Sequence, residues 1–308
     1  MPCRFIFGKI APPPVNVLVE VDILACLDYL VWLRTGEEVG KRLHVNQSTI
    51  SRNFRKCCKE FSIISSKVES EYSISGDLDL LNLERKVHQK HRWQGGRPLR
   101  IEGMFWSGRT YLSDPIKGFI AGNHDFMAVS QPLSLLRDGV IDAWIAPYPD
   151  CPDEDDPEVA SFPLTYSPCI LVANESHPLF SSQKELTIDD IAAYPSLSLP
   201  DGAFPVFERY ARSIGLWNSP SRTLRYKKEK WEGRTEDELT TSFSSFFCLD
   251  MLAGKHRILP VKLKQEFGDV LVVRRDYSDH PLLLELKSIL LDRLKPWAEK
   301  YPEIRLCE

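Results

Sequence analysis

Residues 39–55, VGKRLHVNQSTISRNFR, decide the fold of the N-terminal part of this 308-residue chain. A short helical segment at 37–43 is followed by the three-residue turn His44-Val45-Asn46 and by a second helical segment that begins near Gln47. The second segment is longer and is rich in polar and basic residues. Two helices joined by such a tight turn predict a helix-turn-helix.

The second helix carries side chains that suit a DNA groove. Short polar side chains at its N-terminal end have the size to reach base edges, and basic side chains one turn further on are placed to neutralise phosphates. We therefore predict DNA contacts from Gln47, Ser48, Thr49, Ser51, Arg52, Arg55 and Lys56, with a backbone contact from Lys67 beyond the helix. The alternative is that Asn46 or Ser48 only caps a helix and that the basic residues form a solvated face.

Flanking segments extend this pair into a winged helix-turn-helix domain, predicted over 17–76. An apolar stripe from residue 21 to a stop near 35 predicts a preceding helix, and the Ser-, Val- and Ile-rich stretch 63–75 predicts two wing strands. A linker helix over 77–94 follows and carries Leu80, Leu83 and Val87 on one face. So much leucine needs a partner, and we predict a dimer seam. The alternative is packing against the C-terminal part of the chain.

Strand and helix patterns alternate after the break QGGRP at 94–98, which predicts an α/β domain over 97–308. Strands are expected at 99–106, 126–130, 143–146, 159–173, 196–199, 258–261 and 270–274. Helices are expected at 111–121, 132–137, from 189, at 206–214 and at 282–295. The acidic stretch 150–158 is interpreted as a solvated loop.

Charge is divided unevenly along the chain. Residues 1–97 hold 15 Lys and Arg against 11 Asp and Glu, whereas residues 98–308 hold 24 against 32, within a net charge of −4. This division argues against nonspecific nucleic-acid binding by the whole molecule and leaves room for a basic module at one end. No apolar run approaches about 20 residues and no secretion signal is evident, so we expect a cytoplasmic protein that spans no membrane.

Other classes of chemistry lack their sequence signatures. The eight cysteines are scattered without CxxC spacing, which predicts reduced thiols and neither a zinc site nor a disulfide framework. Common hydrolase, nucleotide-binding and metalloprotease motifs are absent, and none of the seven histidines adjoins a nucleophile motif. We therefore expect no enzyme activity, no cofactor and no metal.

Four short strings together resemble the LysR-type transcriptional regulators. NQSTISR at 46–52 fits the helix-turn-helix pattern of that family, and YSISG at 72–76 stands where its wing strand ends. LRDGVIDA at 136–143 and SHPL at 176–179 resemble two strings of its effector domain. The likeness covers about residues 20–300. Departures such as Gly40, where the family usually has Ala, indicate an outlying member.

This resemblance implies an effector domain of two α/β lobes, similar to periplasmic solute-binding proteins. Lobe I would comprise about 97–166 and 265–308, and lobe II about 167–264. Ligands in open α/β sheets lie beyond the carboxyl ends of strands, so three turns are candidates for the cleft. We predict effector contacts from Ser107, Arg109, Thr110, Ser130, Gln131, Asp201 and Phe204. Arg109, the hydroxyls and the exposed amides favour an anionic effector, for which a carboxylate is our expectation. The alternative is that each turn is only a helix cap.

The resulting hypothesis is a regulator whose contacts with double-stranded promoter DNA respond to a small-molecule effector, acting as a homodimer or homotetramer. The first alternative is a solute-binding module whose N-terminal helices serve only for oligomerisation. A small-molecule enzyme on the same α/β scaffold is the second alternative. DNA affinity that falls steeply with salt and distinguishes sequences separates the hypothesis from both alternatives.

Overall fold

The computed structural model describes residues 19–68, 71–126, 128, 131–197, 199–200, 202–217, 239–251 and 255–307. The chain forms two compact units, 1–81 and 82–308. Within the described residues, no helix is long and apolar enough to cross a membrane.

The first unit contains three helices followed by a two-stranded wing. The helices are α1 (Val21–Leu33), α2 (Gly36–Leu43) and α3 (Gln47–Glu60), and the strands are β1 (Ile64–Val68) and β2 (Glu71–Ser75). The strands pair antiparallel, with Ile64 opposite Ser75. The helix-turn-helix and the wing expected from the sequence are confirmed.

Local capping sets the helix boundaries in this unit. The Thr35 side chain accepts a hydrogen bond from the backbone N–H of Glu38 at the start of α2. His44 ends α2 in the left-handed region, at φ 54°, and Asn46 caps α3 by accepting from the N–H of Thr49 at 2.9 Å. A core that includes Leu24, Leu27 and Phe61 holds the elements together.

Helix α4 (Asp79–Trp93) follows the wing. Leu81, near its start, is buried in the core of the first unit. Further along, Arg85, Gln89 and Arg92 are buried against elements of the second unit. The predicted linker helix is present.

The second unit is mixed α/β and contains two sheets. The larger sheet has the order β11-β6-β10-β5-β3-β4, and the smaller has the order β8-β7-β9. Its strands are β3 (Leu99–Gly103), β4 (Phe119–Ala121), β5 (Ala143–Tyr148), β6 (Val159–Pro168), β7 (Ile170–Asn174), β8 (Thr241–Ser244), β9 (His256–Ile258), β10 (Glu266–Arg274) and β11 (Arg305–Leu306). The helices described are α5 (Phe105–Tyr111), α6 (Pro132–Arg137), α7 (Ile188–Ala192), α8 (Pro205–Ser213), α9 (Phe246–Leu249) and α10 (Pro281–Lys300).

The direction of the strands in the larger sheet determines where their carboxyl ends lie, and these ends matter for ligand binding. β3 pairs parallel with β4 and β5, whereas β10 runs antiparallel to both β5 and β6. The carboxyl ends of β3 and β5 therefore lie at one edge, beside the start of β10. Each sheet has an apolar core, and α10 packs against the larger one through Leu283, Leu286, Leu290 and Leu294.

Several expected elements differ from the structure. The helix expected at 111–121 is wrong, because α5 ends at Tyr111 and residues 119–121 form a strand. Pro115 and Gly118, at φ 83°, interrupt helical geometry there, and pairing with β3 satisfies the backbone instead. The strand expected to end at 106 ends at Gly103.

The single strand expected at 159–173 is two strands. β6 pairs with β10 and β11, while β7 pairs with β8 and β9, so the chain changes sheets at Pro168-Cys169. The strand expected at 196–199 amounts to one bridge, between Ser196 and Thr241. The strand expected at 258–261 lies at 256–258 instead, and much of the strand expected at 126–130 lies outside the described residues.

Candidate functional site

Helix α3 presents its polar and basic side chains outward. Ile50 and Cys57 are its buried residues, so the opposite face is open to solvent. On that face Gln47, Ser48, Arg52, Arg55 and Lys56 are exposed, and Thr49 and Ser51 are half-buried. The fold thus brings all seven residues predicted on this helix to one accessible surface.

Side-chain hydrogen bonds within α3 order part of this surface. The Asn46 Oδ1 atom accepts from the Ser48 hydroxyl at 2.7 Å as well as from the N–H of Thr49. Arg55 donates from Nη2 to the Ser51 hydroxyl at 2.9 Å. The capping alternative therefore accounts for Asn46 and Ser48. It does not account for Gln47 or for the row of basic side chains.

Lys67 lies on the wing. It is exposed on β1, and its Nζ atom lies 4.7 Å from the ring centroid of Tyr72 on β2. A cation–π contact of this kind orients the ammonium group without removing it from solvent.

Helix α4 has two faces of opposite character. Leu80, Leu83 and Val87 are 46%, 59% and 63% exposed. The alternative in which this stripe packs against the chain's own C-terminal part is not supported, since the residues of α4 that make those contacts are polar. Gln89 donates from Nε2 to the carbonyl of Ile141 at 3.1 Å.

Arg92 fastens α4 to the loop before β5. Its Nε and Nη2 atoms donate to the two oxygens of Asp142 at 2.7 and 2.9 Å, and Nη2 also donates to the carbonyl of Gly139 at 2.7 Å. Asp142 also accepts from the backbone N–H of Arg100 at 2.8 Å. The turn requires φ 73° at Gly139. The string LRDGVIDA is therefore the docking site of α4.

The carboxyl ends of β3 and β5 open onto a cavity. It has an empty volume of about 750 Å³, which includes open solvent at its mouth. Its walls also come from the start of β10, from α9 and from the start of α8. Eight aromatic residues line it: Phe105, Trp106, Tyr148, Phe204, Phe207, Phe243, Phe247 and Phe267.

Two carboxyl groups interrupt this aromatic lining. Asp269 is 4% exposed, and its Oδ2 atom accepts a hydrogen bond from the Tyr111 hydroxyl at 2.9 Å. Burial raises the pKa of Asp269 to about 7.

Asp150, the second carboxyl group, joins the cavity to helix α8. Its Oδ1 atom accepts from the N–H of Val206 at 2.6 Å, and its Oδ2 atom accepts from the N–H of Phe207 at 3.2 Å. Burial raises the pKa of Asp150, while these two hydrogen bonds act in the opposite direction. The position of Asp150 corrects the interpretation of 150–158 as a solvated loop.

A second cavity, with an empty volume of about 770 Å³, adjoins the first. The two share Pro147, Asp150 and Phe204 as lining residues, and Gln131 and Trp144 contribute only to the second. Because both open around Asp150, we treat them as parts of one cleft.

The predicted effector residues fare unequally. Phe204 lines both cavities and Gln131 lines the second. Ser107, Arg109 and Thr110 do not form a turn, because α5 begins at Phe105. Neither cavity is lined by any of these three residues. Ser130 and Asp201 lie outside the described residues.

Arg109 is one of the groups on which the expectation of an anionic effector rests. It is exposed, and its guanidinium lies 5.5 Å from the ring centroid of Phe105. Among the described residues, neither cavity is lined by Lys, Arg or His. The described lining therefore gives no support to an anionic ligand.

Asp150 and Asp269 are the functional candidates that the sequence interpretation missed. Asp269 directly precedes the apolar run 270–273 of β10, and an acid next to such a buried run is a usable signal. Asp150 directly follows the strand end YP, but the acidic residues after it concealed its different role.

Two thiols of the second unit, Cys169 and Cys248, are poorly suited to redox chemistry. Cys169 and Cys248 are free but buried, and burial raises the pKa of Cys248 to about 11 and that of Cys169 well above its usual value. No group of three potential metal ligands occurs within the part of the chain that the structure describes.

Comparisons with known proteins agree with this architecture. Residues 125–216 match the family model of the LysR substrate binding domain. No curated protein matches this chain by sequence.

Several solved structures share the fold of this chain at low identity. A probable transcriptional regulator from Pseudomonas aeruginosa is 12% identical, with a TM-score of 0.54 over 88% of this chain and 97% of that one. A full-length OxyR variant from Pseudomonas aeruginosa is 16% identical, with a TM-score of 0.51 over 89% and 98%. A hydrogen peroxide-bound OxyR mutant from Corynebacterium glutamicum is 13% identical, with a TM-score of 0.50 over 91% and 94%.

Proposed function

We propose that this chain regulates transcription by binding promoter DNA through α3 and a small-molecule effector through the cleft around Asp150. The observation that carries the proposal is the row of exposed polar and basic side chains on α3, in a helix-turn-helix joined to a LysR-type effector domain. Because promoter DNA is its target, the protein acts in the cytoplasm.

Helix α3 enters the major groove with its N-terminal end foremost. Gln47, at that end, pairs with a base edge, and Thr49 offers a methyl group to thymine. Ser48 and Ser51 are short enough to let the helix approach the bases. Arg52, Arg55 and Lys56 bind phosphates, with Lys67 on the wing adding a further backbone contact.

A homodimer through the stripe Leu80, Leu83 and Val87 presents two copies of α3 to a pseudo-palindromic site. A homotetramer would present four copies. The stripe is exposed along one side of a helix whose other side is fixed by Arg92, so it is free to meet a second copy.

Effector binding changes the DNA contacts only if the effector has different affinities for two arrangements of the protein. The cleft meets this requirement in principle, because its walls come from elements of both sheets of the effector domain. Gln131 and Phe204 are the contacts that we carry forward from the sequence, together with the two aspartates.

DNA binding by the purified full-length protein tests the proposal. A genomic fragment library is incubated with the protein at about 50 and about 200 mM salt, and the bound fragments are sequenced. We expect enrichment of a fragment with dyad symmetry and an affinity that falls steeply with salt.

The double variant Gln47→Ala, Arg52→Ala should lose tenfold or more in affinity for that fragment, since each such contact contributes about 1 to 3 kcal/mol. Lys59→Ala is the matched control, because Lys59 is also exposed on α3 but lies in its last turn. It should bind within about threefold of wild type. Absence of enrichment by folded protein would overturn the proposal in favour of a solute-binding module.

A further inference from the structure

The effector cavity has an unusual charge for a site expected to hold an anion. Its described lining combines eight aromatic residues with Asp150 and Asp269, and none of the described lining residues is basic. An anion placed there would lie beside one or two carboxylates in a medium of low dielectric constant, where like charges repel strongly.

The N-terminus of α8, a backbone feature that attracts anions, is already occupied by a side chain of this protein. The N-terminus of α8 directs its free N–H groups toward the cleft, and such a terminus favours negative charge. Asp150 supplies that charge from within the chain, with its two oxygens on the N–H groups of Val206 and Phe207. An effector carboxylate would have to displace it.

Asp269 offers an acceptor that the protein leaves open. Tyr111 donates to Oδ2, whereas Oδ1 receives no hydrogen bond from the described residues. Asp269 is 4% exposed as a whole, but its Oδ1 atom is not one of the buried side-chain atoms that lack a hydrogen-bond partner, so it is accessible from the cavity that the residue lines. A donor group of a ligand in the cavity can therefore bind to it.

The aromatic walls favour a cation over a neutral donor. Trp106 and Phe204 stand 5.9 Å apart between ring centroids, and Phe207 stands 4.8 Å from Phe267. The faces of such rings attract ammonium groups, with Trp the strongest. The aromatic rings and the two carboxyl groups therefore both favour a positively charged ligand.

We propose that the effector of this protein is a small organic ammonium ion with an apolar body, bound with its cationic group toward Asp269 and its body among the aromatic residues. Calling this ligand the effector rests on the proposed function. The binding site itself can be tested without DNA.

Three probes of matched size, 2-phenylethylamine, 2-phenylethanol and phenylacetate, separate the ligand classes. Their affinities for the full-length protein are measured by isothermal titration calorimetry at pH 7. The ammonium ion should bind at least tenfold more tightly than the alcohol, and phenylacetate should bind most weakly. Tightest binding by phenylacetate or by the alcohol would overturn the proposal, as would binding by none of the three.

Substitution of Asp269 tests whether this residue recognises the positive charge of the ligand. Asp269→Asn retains an acceptor for the Tyr111 hydroxyl but removes the negative charge, so the preference for the ammonium ion over the alcohol should fall to about threefold or less. Asp250→Asn is the control, since Asp250 is paired with Lys300 and does not line the cavity. An unchanged preference in Asp269→Asn would assign the charge recognition elsewhere and overturn the proposal.

Proton release gives a readout that does not depend on a variant. At pH 7 a fraction of Asp269 is protonated, with Tyr111 and Cys248 as its titratable neighbours. Binding of a cation should expel that proton, so the apparent binding enthalpy should change with the ionisation enthalpy of the buffer. An enthalpy independent of the buffer would contradict contact between the ammonium group and Asp269.

The same protein preparation is tested for DNA binding in parallel. Retained DNA binding without ammonium binding would overturn this inference and leave the regulator proposal intact. Ammonium binding without sequence-specific DNA binding would support the ligand class and overturn the regulator proposal.

Discussion

The helix-turn-helix and the effector cavity are assembled from opposite kinds of contact. At α3 the polar contacts join residues close in sequence, such as Asn46 to Thr49 and Arg55 to Ser51. At the cavity they join distant residues: Asp150 binds N–H groups more than 50 positions away, and Tyr111 is 158 positions from Asp269. A short string therefore identifies the first region, whereas the chemistry of the second depends on how the whole domain folds.

The two regions should also differ in what one substitution does. Removing a local cap leaves an exposed helix end that water can solvate, so the loss of stability is small. Removing one member of a buried long-range pair leaves a charge or a polar group with no substitute, and the loss is large. Predictions from the largest effect to the smallest test this difference.

Asp142→Ala should have the largest effect. It removes the carboxylate that pairs with the buried guanidinium of Arg92 and accepts from the N–H of Arg100, and breaking such a pair costs about 3 to 5 kcal/mol. Urea unfolding followed by tryptophan fluorescence measures the change. Asp138→Ala is the control in the same loop, because the Asp138 side chain is 39% exposed, its contact with Arg85 is long, at 3.9 Å, and Arg85 keeps its hydrogen bond to Asn82. This variant should change stability by less than about 1 kcal/mol. Similar losses in both variants would contradict the comparison.

Asp269 should make stability depend on pH. Its pKa in the folded protein, about 7, is above the usual carboxyl value, so the folded state holds a proton that the unfolded state has already lost. Stability should therefore fall as pH rises from about 4 to about 7, by an amount on the order of 3 kcal/mol.

Asp269→Asn should be about as stable as wild type at pH 4 and more stable above pH 7. The neutral amide takes the place of the protonated acid and cannot ionise. Urea unfolding at several pH values, with Asp276→Asn as an exposed control, checks this. Parallel stability curves for wild type and Asp269→Asn would show that Asp269 does not hold the proton.

The proposed dimer seam of Leu80, Leu83 and Val87 should respond to a charge at its centre. Leu83→Lys should raise the dimer dissociation constant tenfold to a hundredfold, because burying each leucine contributes about 1.5 to 3 kcal/mol. Sedimentation velocity over a concentration series measures it. Leu284→Lys, on α10 and 60% exposed, is a control for an equally exposed leucine. If only Leu284→Lys weakens self-association, the interface lies on α10.

Asn46→Ala should have the smallest effect. Loss of this cap costs about 1 kcal/mol of stability in the first unit. Thermal unfolding followed by circular dichroism measures the loss, and Asn46→Asp, which retains the cap, should be close to wild type. A loss as large as that of Asp142→Ala would remove the contrast between local and long-range contacts.

The sequence pattern predicts the parts of the fold whose signals are local. The three N-terminal helices, the wing, α8 and α10 follow from apolar periodicity and from caps such as Asn46. The helix expected at 111–121 fails because a parallel partner, β3, is available only in the folded domain. The division between β6 and β7 has the same origin, since each half has its own sheet.

The candidate site divides along the same line. All seven predicted residues of α3 lie on one accessible surface, because a single helix orders them. Of the predicted effector residues, Phe204 and Gln131 line the cleft, while Arg109 lies outside it. Asp150 and Asp269 could not be assigned as a pair, since nothing in their local sequence indicates that they line one cavity.

Strand β5 connects the loop that holds α4 to the mouth of the cleft. Asp142, which holds Arg92, immediately precedes this strand, and Asp150, which holds the start of α8, follows two residues after it. The two aspartates flank a mostly buried strand of six residues, roughly 20 Å long at about 3.3 Å per residue. A strand hydrogen-bonded on both sides resists stretching and bending. A ligand that displaces Asp150 at the mouth of the cleft should therefore also displace Asp142 and the end of α4 that it holds, because β5 does not deform in between.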